Sequence, residues 1–386
     1  MNILITTPIF PPEIGGPATY TMEVARRLQT KGHKIRIVAF TDGKPQTENL
    51  EVKPVKVRYK ILGTVFRQIR LFFTTLFASR GMELIYAQDP VVVGLCSFII
   101  GKLIRKPVII RVGGDALWES EFEKGKTDKN LEDFLQSSKF RVGTKMRFSL
   151  HRFVFKHVNK LITPSYFLKE ILTIYYKVHP VKISVIHNSV DFKDLESVSG
   201  RPRVFNKHII TVGRLIRLKK IDIIMKVVKE LSEKFPGISL SIVGEGPEKG
   251  NLQRLSKELE IDKQVEFHGR VNHDETIKLL QESDLLVLNS VSEGFPHTVI
   301  EAMVCRVPLV ATSVKGVKEV IDDGKTGLLA SSDDELRIKI AQLINDEGLR
   351  KKLATNALTL VKQKFTWEVN LPLLEKELET VLHNRS

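Results

Sequence analysis

Glu293 and Glu301 stand with seven residues between them in the segment SEGFPHTVIEA. The apolar run Leu285–Leu288 before them reads as a strand. That places Glu293 in the following loop and Glu301 about one turn inside a helix starting near His297. The first amides of such a helix, those of Thr298 and Val299, have no intrahelical acceptor and carry the positive end of its dipole. Both features suit a phosphate. A carboxylate at Glu301 can accept hydrogen bonds from ribose hydroxyls. On the plainer reading Glu301 is solvent-facing charge, because Ile300, Met303 and Val304 already supply the helix with an apolar face.

Gly213-Arg214-Leu215, with Lys219 four residues on, directly follows another apolar run, Ile209–Val212. Two cations at the end of a strand can neutralise a diphosphate as it becomes a leaving group. Arg217 and Lys220 are basic too, so a solvated basic loop is the competing reading. Gly15-Gly16 follows the first apolar run, where glycine lets a backbone approach a phosphate at a helix start. A tight turn among three prolines explains the pair equally well. Asp115, in RVGGDALWES, follows a further strand and is a candidate for positioning sugar or acceptor hydroxyls, or else a helix cap. No D-x-D follows a strand convincingly, and Asp322-Asp323 and Asp333-Asp334 read as caps and solvated charge. No metal is expected.

The elements that must position these residues follow a strand–helix alternation, the signature of a parallel sheet covered on both faces. Strands are expected at Ile3–Thr6, Lys34–Phe40, Leu84–Ala87, Val108–Val112, Leu161–Thr163 and Ile183–Ile186, with helices at Thr19–Gln29 and Ser165–Tyr175. Asn188–Lys207, with Ser199, Gly200 and Pro202 and no apolar periodicity, reads as a linker. A second alternation follows, with strands at Ile209–Val212, Ser239–Val243, Val265–His268, Leu285–Leu288, Leu309–Ala311 and Gly327–Ala330. Helices near Asp334–Asn345, Leu349–Lys362 and Trp367–Leu382 close the chain. A length of 386 residues suits two doubly wound α/β domains.

The order of these motifs resembles the retaining GT-B glycosyltransferases of family 4. GG near the N-terminus, GRL-x3-K, GEGP at Gly244–Pro247, FHGRV at Phe267–Val271 and E-x7-E carry the resemblance. ITPS at Ile162–Ser165, VIHNSVD at Val185–Asp191 and FTWE at Phe365–Glu368 add to it. It implies two Rossmann-like domains facing each other across a cleft, an acceptor-side domain over 1–190 and a donor domain over 206–365. A helix over about 366–386 would return to the first domain.

The resemblance also implies the roles. Arg214 and Lys219 would contact the donor diphosphate, with Gly213 and Gly244 beside them, and Glu301 would hold the ribose. Arg270 and Val271 would pack near the base. Glu293, Gly294, Phe295, Pro296, Thr298 and Val299 would meet sugar and phosphate. Gly15 and Gly16 would close on the phosphate from the other domain. Glu293, Asp115, Arg214 and Lys219 are the residues expected to carry catalysis, with a UDP- or GDP-sugar as donor and no cofactor. Three positions depart from the family pattern. Lys220 and Ser189 stand where glycine is common, and Gly316 is single where a pair is usual.

Charge separates the halves. Residues 1–188 hold 30 Lys and Arg against 15 Asp and Glu, while the remainder holds 30 of each. Val65–Phe77 and Lys139–Lys160 interleave cations with aromatics, as interfacial helices do. Peripheral contact with an anionic membrane at its cytoplasmic side is therefore expected. For much of Val65–Phe77, however, the aromatics are expected to turn into the domain core. No run reaches the ~20 apolar residues of a spanning helix, and no nucleic-acid-binding signature is present. Two lone cysteines, Cys96 and Cys305, suit a reducing cytoplasm. The expected activity is transfer of a hexose-type sugar to a hydroxyl of a glycan or lipid-linked acceptor. An epimerase or phosphorylase of the same fold, and a non-catalytic membrane-docked partner, are the rival readings.

Overall fold

The computed structural model describes residues 1–13, 15–41, 49–56, 63–137, 140–191 and 205–383. Its contacts divide the chain into two units. The first comprises Met1–Trp118, Glu132–Ile186 and Leu371–Ser386, and the second Glu119–Leu131 and His187–Asn370. Most of the expected linker, 192–204, lies outside the described residues.

The first unit is built on a seven-stranded parallel sheet in the order β3-β2-β1-β4-β5-β6-β7. Its strands are β1 (Asn2–Thr7), β2 (Lys34–Phe40), β3 (Glu51–Val55), β4 (Leu84–Ala87), β5 (Val108–Arg111), β6 (Lys160–Thr163) and β7 (Ile183–Val185). Ile3, Leu4 and Ile5 are all completely buried, as continuous apolar runs are when helices cover both faces of a parallel sheet. The helices are α1 (Gly16–Thr30), α2 (Gly63–Ala78), α3 (Gly94–Leu103), α4 (Ala116–Glu123), α5 (Leu131–Gln136), α6 (Val142–His157) and α7 (Tyr166–Ile174). β3 was not foreseen. Its sequence EVKPV is short, has no apolar run and carries a proline, which an edge strand tolerates because one side of its backbone needs no partner.

The second unit holds a six-stranded parallel sheet in the order β10-β9-β8-β11-β12-β13. Its strands are β8 (His208–Val212), β9 (Ser239–Val243), β10 (Val265–Gly269), β11 (Leu285–Leu288), β12 (Leu309–Thr312) and β13 (Leu328–Ala330). Around them run α8 (Ile221–Lys234), α9 (Lys249–Glu258), α10 (His273–Glu282), α11 (His297–Val304), α12 (Lys315–Lys318), α13 (Asp333–Asn345) and α14 (Glu347–Lys364). Two apolar layers, one on each sheet face, are centred on Met303 and Met225. In each sheet the chain leaves one strand in one direction and later resumes on that strand's other side. These switch points lie between β1 and β4 and between β8 and β11, where α/β sheets bind ligands at the strands' carboxyl ends.

The last helix, α15 (Trp367–His383), belongs to the first unit from Leu371 onward. There Glu375 receives Lys31 Nζ at 2.5 Å and His33 Nε2 at 2.7 Å, and Glu377 meets Lys160 at 3.0 Å.

One packing expectation is overturned on α2. Its Phe66, Phe73 and Phe77 do not enter the core; they are 51–58% exposed. Leu71 and Thr75 fill the buried side instead, and the spacing of three and four residues carries the aromatics to the outer face.

Burial alone would raise the Glu375 carboxyl, but hydrogen bonds from Lys31 and His33 outweigh it and hold the group below its ordinary value. A depressed carboxylate contributes stability above its unfolded-state pKa and loses it as pH falls through the folded value. Glu375→Gln is therefore expected to lower stability by about 1 kcal/mol at neutral pH. The difference from wild type should close below about pH 4, as measured by urea unfolding at several pH values.

Candidate functional site

Three loops at the carboxyl edge of the second sheet are fastened through their backbones. The loop after β8 is bonded to the loop after β9: Gly213 N–H donates to Val243 O, Leu215 N–H to Glu245 O, and Glu248 N–H to Leu215 O, at 2.9–3.0 Å. Gly244 N–H donates to Gly269 O at the end of β10 at 2.8 Å. A methyl group on Gly244 would stand 1.9 Å from Gly213 O, and one on Gly246 would stand 2.2 Å from Leu215 O. The GEGP glycines therefore serve loop-to-loop contact, and they fix the strip Gly213–Lys219 from beneath.

Lys219 ends that strip and runs beside Gly213. Its Nζ lies 2.5 Å from Glu293 Oε1, which also accepts from Ser290 Oγ at 2.6 Å. Ser290 is held in turn, since its N–H donates to Thr312 Oγ1 at 2.9 Å while Thr312 Oγ1 donates to Asn289 Oδ1 at 2.7 Å. Lys219 thus arrives from the β8 loop and Glu293 from the β11 loop, on the two sides of the switch point. An ammonium fixed by one carboxylate keeps donors for an incoming anion.

The Glu293 loop is pressed by α12. A methyl group on Gly316 would stand 1.9 Å from Glu293 O and 2.9 Å from Gly294 O. Phe295 is buried between His187 and Phe365, with ring centroids at 5.2 and 5.4 Å, and its carbonyl accepts from Asn188 Nδ2 at 3.3 Å. Phe295 therefore anchors the loop through its ring and its carbonyl.

Pro296 caps α11 without a side-chain bond. Thr298 is half-buried. The Val299 amide, expected to face a phosphate, already donates to Pro296 O at 3.3 Å and is engaged within the first turn. Glu301 lies on α11 with its side chain 14% exposed and 3.7 Å from His273 Nδ1. Burial raises its pKa, and His273 offsets part of that rise. The solvent-facing reading of Glu301 does not describe this environment. Val271 packs on the apolar layer around Met303, whereas Arg270 is exposed.

Arg214 does not join the Lys219–Glu293 pair. It is 62% exposed and pairs with Glu119 at 3.3 Å and Glu123 at 3.4 Å, within the same unit. Exposed pairs of this kind contribute about 0–1 kcal/mol, so exchange for a diphosphate costs little.

In the first unit, Gly15 caps α1 and Gly16 opens it. Gly15 O accepts from Ala18 and Thr19 amides, and a methyl group on Gly16 would meet nothing within 4 Å. Asp115 is buried and caps α4: Oδ1 accepts from the Trp118 amide at 2.9 Å and Oδ2 from the Tyr176 hydroxyl at 2.6 Å. Burial raises its pKa against those bonds. The Trp118 bond is that of a helix cap, and the Tyr176 hydroxyl ties the other oxygen to the segment after α7.

Of the residues singled out by spacing, the structure brings Lys219 and Glu293 together and sets Glu301 against His273. Spacing missed Ser290, Thr312 and His273, which follow no motif and are found only through the fold. The backbone at Lys220 shows why glycine is common in the family at this position. The residue caps α8 at φ 39° and ψ 42°, the left-handed region where glycine is free of strain. Ser189 shows no positive φ, so serine meets no backbone penalty there.

Comparisons with known proteins agree with this architecture. Residues 14–194 match the profile of Glycosyltransferase Family 4, and residues 196–359 that of Glycosyl transferases group 1. The chain is 23% identical to the gpi3 subunit of phosphatidylinositol N-acetylglucosaminyltransferase from Schizosaccharomyces pombe, over 93% of this chain and 76% of that protein. It is 24% identical to the N-acetyl-alpha-D-glucosaminyl L-malate synthase of Bacillus anthracis, over 92% of each. Among solved structures, Anabaena HepE in complex with UDP-glucose superposes with a TM-score of 0.77 at 18% identity, over 98% of this chain and 100% of HepE. Sucrose-phosphate synthase from Thermosynechococcus elongatus gives 0.79 at 17% identity, over the whole of both chains.

Two substitutions test the loop geometry. Gly316→Ala should push the Glu293 loop outward, lowering sugar transfer at least tenfold and stability by about 2 kcal/mol, as read by turnover and urea unfolding. Lys220→Gly should stabilise the protein by about 0.5–1 kcal/mol through relief of the left-handed backbone, as read by the same unfolding measurement.

Proposed function

We propose that this chain, a glycosyltransferase of the GT-B fold, moves a hexose-type sugar from a UDP- or GDP-sugar to a hydroxyl of a glycan or lipid-linked acceptor, with retention of configuration. The observation that carries the reading is the Lys219–Glu293–Ser290 constellation at the switch point of the second sheet, with Glu301 on the helix that follows. Lys219 would neutralise charge growing on the departing diphosphate, a task that gains strength in a partly desolvated site. Arg214 would leave Glu119 and Glu123 to join it. Glu301 would accept from the ribose hydroxyls, and Glu293 with the Gly294 and Phe295 backbone would meet the transferred sugar. No essential metal is required when two cations supply this charge. The relatives whose names specify N-acetylglucosaminyl transfer make UDP-N-acetylglucosamine and UDP-glucose the first donors to test. The anomeric configuration of the first product formed, read by proton NMR coupling, tests retention: an inverted anomer refutes it.

The same reading extends to the membrane face of glycolipid or cell-surface polysaccharide assembly. No described helix is long and apolar enough to span a bilayer. On α2, however, Phe66, Ile69, Phe73 and Phe77 form one exposed stripe, and on α6 Val142, Met146, Leu150 and Phe153 form a second. Arg70, Lys145 and Lys156 are exposed beside them. Apolar stripes bordered by cations suit the surface of an anionic bilayer, where each cation contributes about 1 kcal/mol. The protein should sediment with phosphatidylglycerol vesicles at low salt, and replacing Phe66, Phe73 and Phe77 together by serine should release it. Wild-type protein left in the supernatant rejects the docking.

A further inference from the structure

The first sheet has its own switch point, between β1 and β4, and a buried polar group sits there that the donor chemistry does not use. Gln88 follows β4 directly and its N–H still donates to Thr6 O at 2.8 Å, so the strand's alternation continues through it. Its side chain therefore shares a face with Tyr86, whose hydroxyl lies 3.4 Å from that of Tyr20 on α1. Gln88 is 7% exposed, and both its amide oxygen and its amide nitrogen lack a hydrogen-bond partner among the described residues. Buried polar atoms are nearly always bonded, and an unbonded pair on one amide costs stability.

The neighbouring strand adds a cation. β4 pairs with β5 in the register Tyr86↔Ile109 and Ala87↔Ile110, which sets Arg111 next to Gln88. Arg111 is 5% exposed, and its guanidinium lies 3.8 Å from the centroid of the Tyr20 ring, under α1. The helix carrying Tyr20 begins at Gly16, so its positive dipole end lies toward the same carboxyl edge of the sheet, although its Ala18 and Thr19 amides are already engaged by Gly15 O. On the other side, the loop after β5 carries Gly113, where an added methyl group would meet nothing within 4 Å. A switch point, a buried cation and an unbonded buried amide thus lie side by side at the carboxyl edge of the first sheet.

We propose that Gln88, with Arg111 beside it, is a hydroxyl-binding subsite for the polyol portion of the acceptor. A primary amide offers donors and an acceptor on one plane, and a sugar hydroxyl is itself both donor and acceptor. Vicinal hydroxyls of a ring or an open polyol therefore satisfy both Gln88 atoms at once. Arg111, a donor only, would complete the set toward a hydroxyl oxygen. The proposal rests on the glycosyltransferase reading above and assigns part of its acceptor side.

The test uses the full chain with two uncharged probes, methyl α-D-glucopyranoside and myo-inositol, and with UDP or GDP in the same sample. Saturation-transfer NMR should show the nucleotide and at least one polyol bound to wild type. Gln88→Leu should keep the nucleotide signal and lose the polyol signal at least fivefold. It should also raise the melting temperature of the unliganded protein by about 2–4 °C, because it removes an unsatisfied buried amide. A purely structural amide, satisfied by buried water, predicts a lower melting temperature and unchanged polyol binding. Either of those results overturns the subsite, as does a wild type that binds nucleotide and neither polyol. A wild type that binds no nucleotide counts against the broader functional reading instead. Gln88→Asn, which keeps the amide but shortens its reach, should weaken polyol binding less than leucine does, and equal loss in both variants also contradicts the assignment.

Discussion

Backbone-to-backbone contact between loops is the constraint on which the donor-side site depends. Gly244 and Gly246 approach the Gly213–Leu215 strip, and Gly316 approaches Glu293, at distances no β-carbon permits. With these approaches in place, the loops after β8 and β9 form one unit and those after β11 and β12 another, and the Val291 N–H to Leu218 O bond at 2.9 Å joins the two into one edge. Lys219 and Glu293 can then be held at 2.5 Å although 74 residues separate them. Side-chain bonds from Ser290 and Thr312 refine that edge, but they could not create it. Preorganisation of this kind is what a site needs to stabilise a developing charge without rearranging when the charge appears.

The two sheets share a plan and differ in what they place at the switch point. In the second, two loops deliver a cation and a carboxylate within hydrogen-bond reach. In the first, buried polar groups face the underside of α1 and the outer helices turn apolar residues to solvent. The even charge of the second half and the basic excess of the first follow the same division. One half carries balanced charge, and the other sets exposed cations beside exposed aromatics.

Much of this was legible in the sequence because parallel strands buried on both faces are written as short apolar runs. β2, β4, β9 and β11 coincide with the expected ranges. The edge strand β3 was not legible, since EVKPV has no apolar run and its proline reads as a break. GRL-x3-K and E-x7-E singled out Lys219 and Glu293, which meet, through their position after strands. The outward turn of the α2 aromatics was misjudged, because amphipathic periodicity identifies two faces without saying which one is covered. Ser290, Thr312 and His273 could not have been chosen from spacing, as their roles arise only when β11, β12 and α10 are brought side by side. The glycines of GEGP were visible as a motif, but their service to loop contact required coordinates.

The claim on which the rest turns is that the carboxyl edge of the second sheet binds a sugar nucleotide through Lys219. Calorimetric titration of UDP and GDP into wild type and Lys219→Ala tests it most directly. Binding of one nucleotide at about micromolar affinity, weakened at least tenfold in the variant, a loss of about 1.4 kcal/mol or more, is the predicted result. A wild type that binds neither nucleotide, or a Lys219→Ala variant that binds as tightly as wild type, would contradict it.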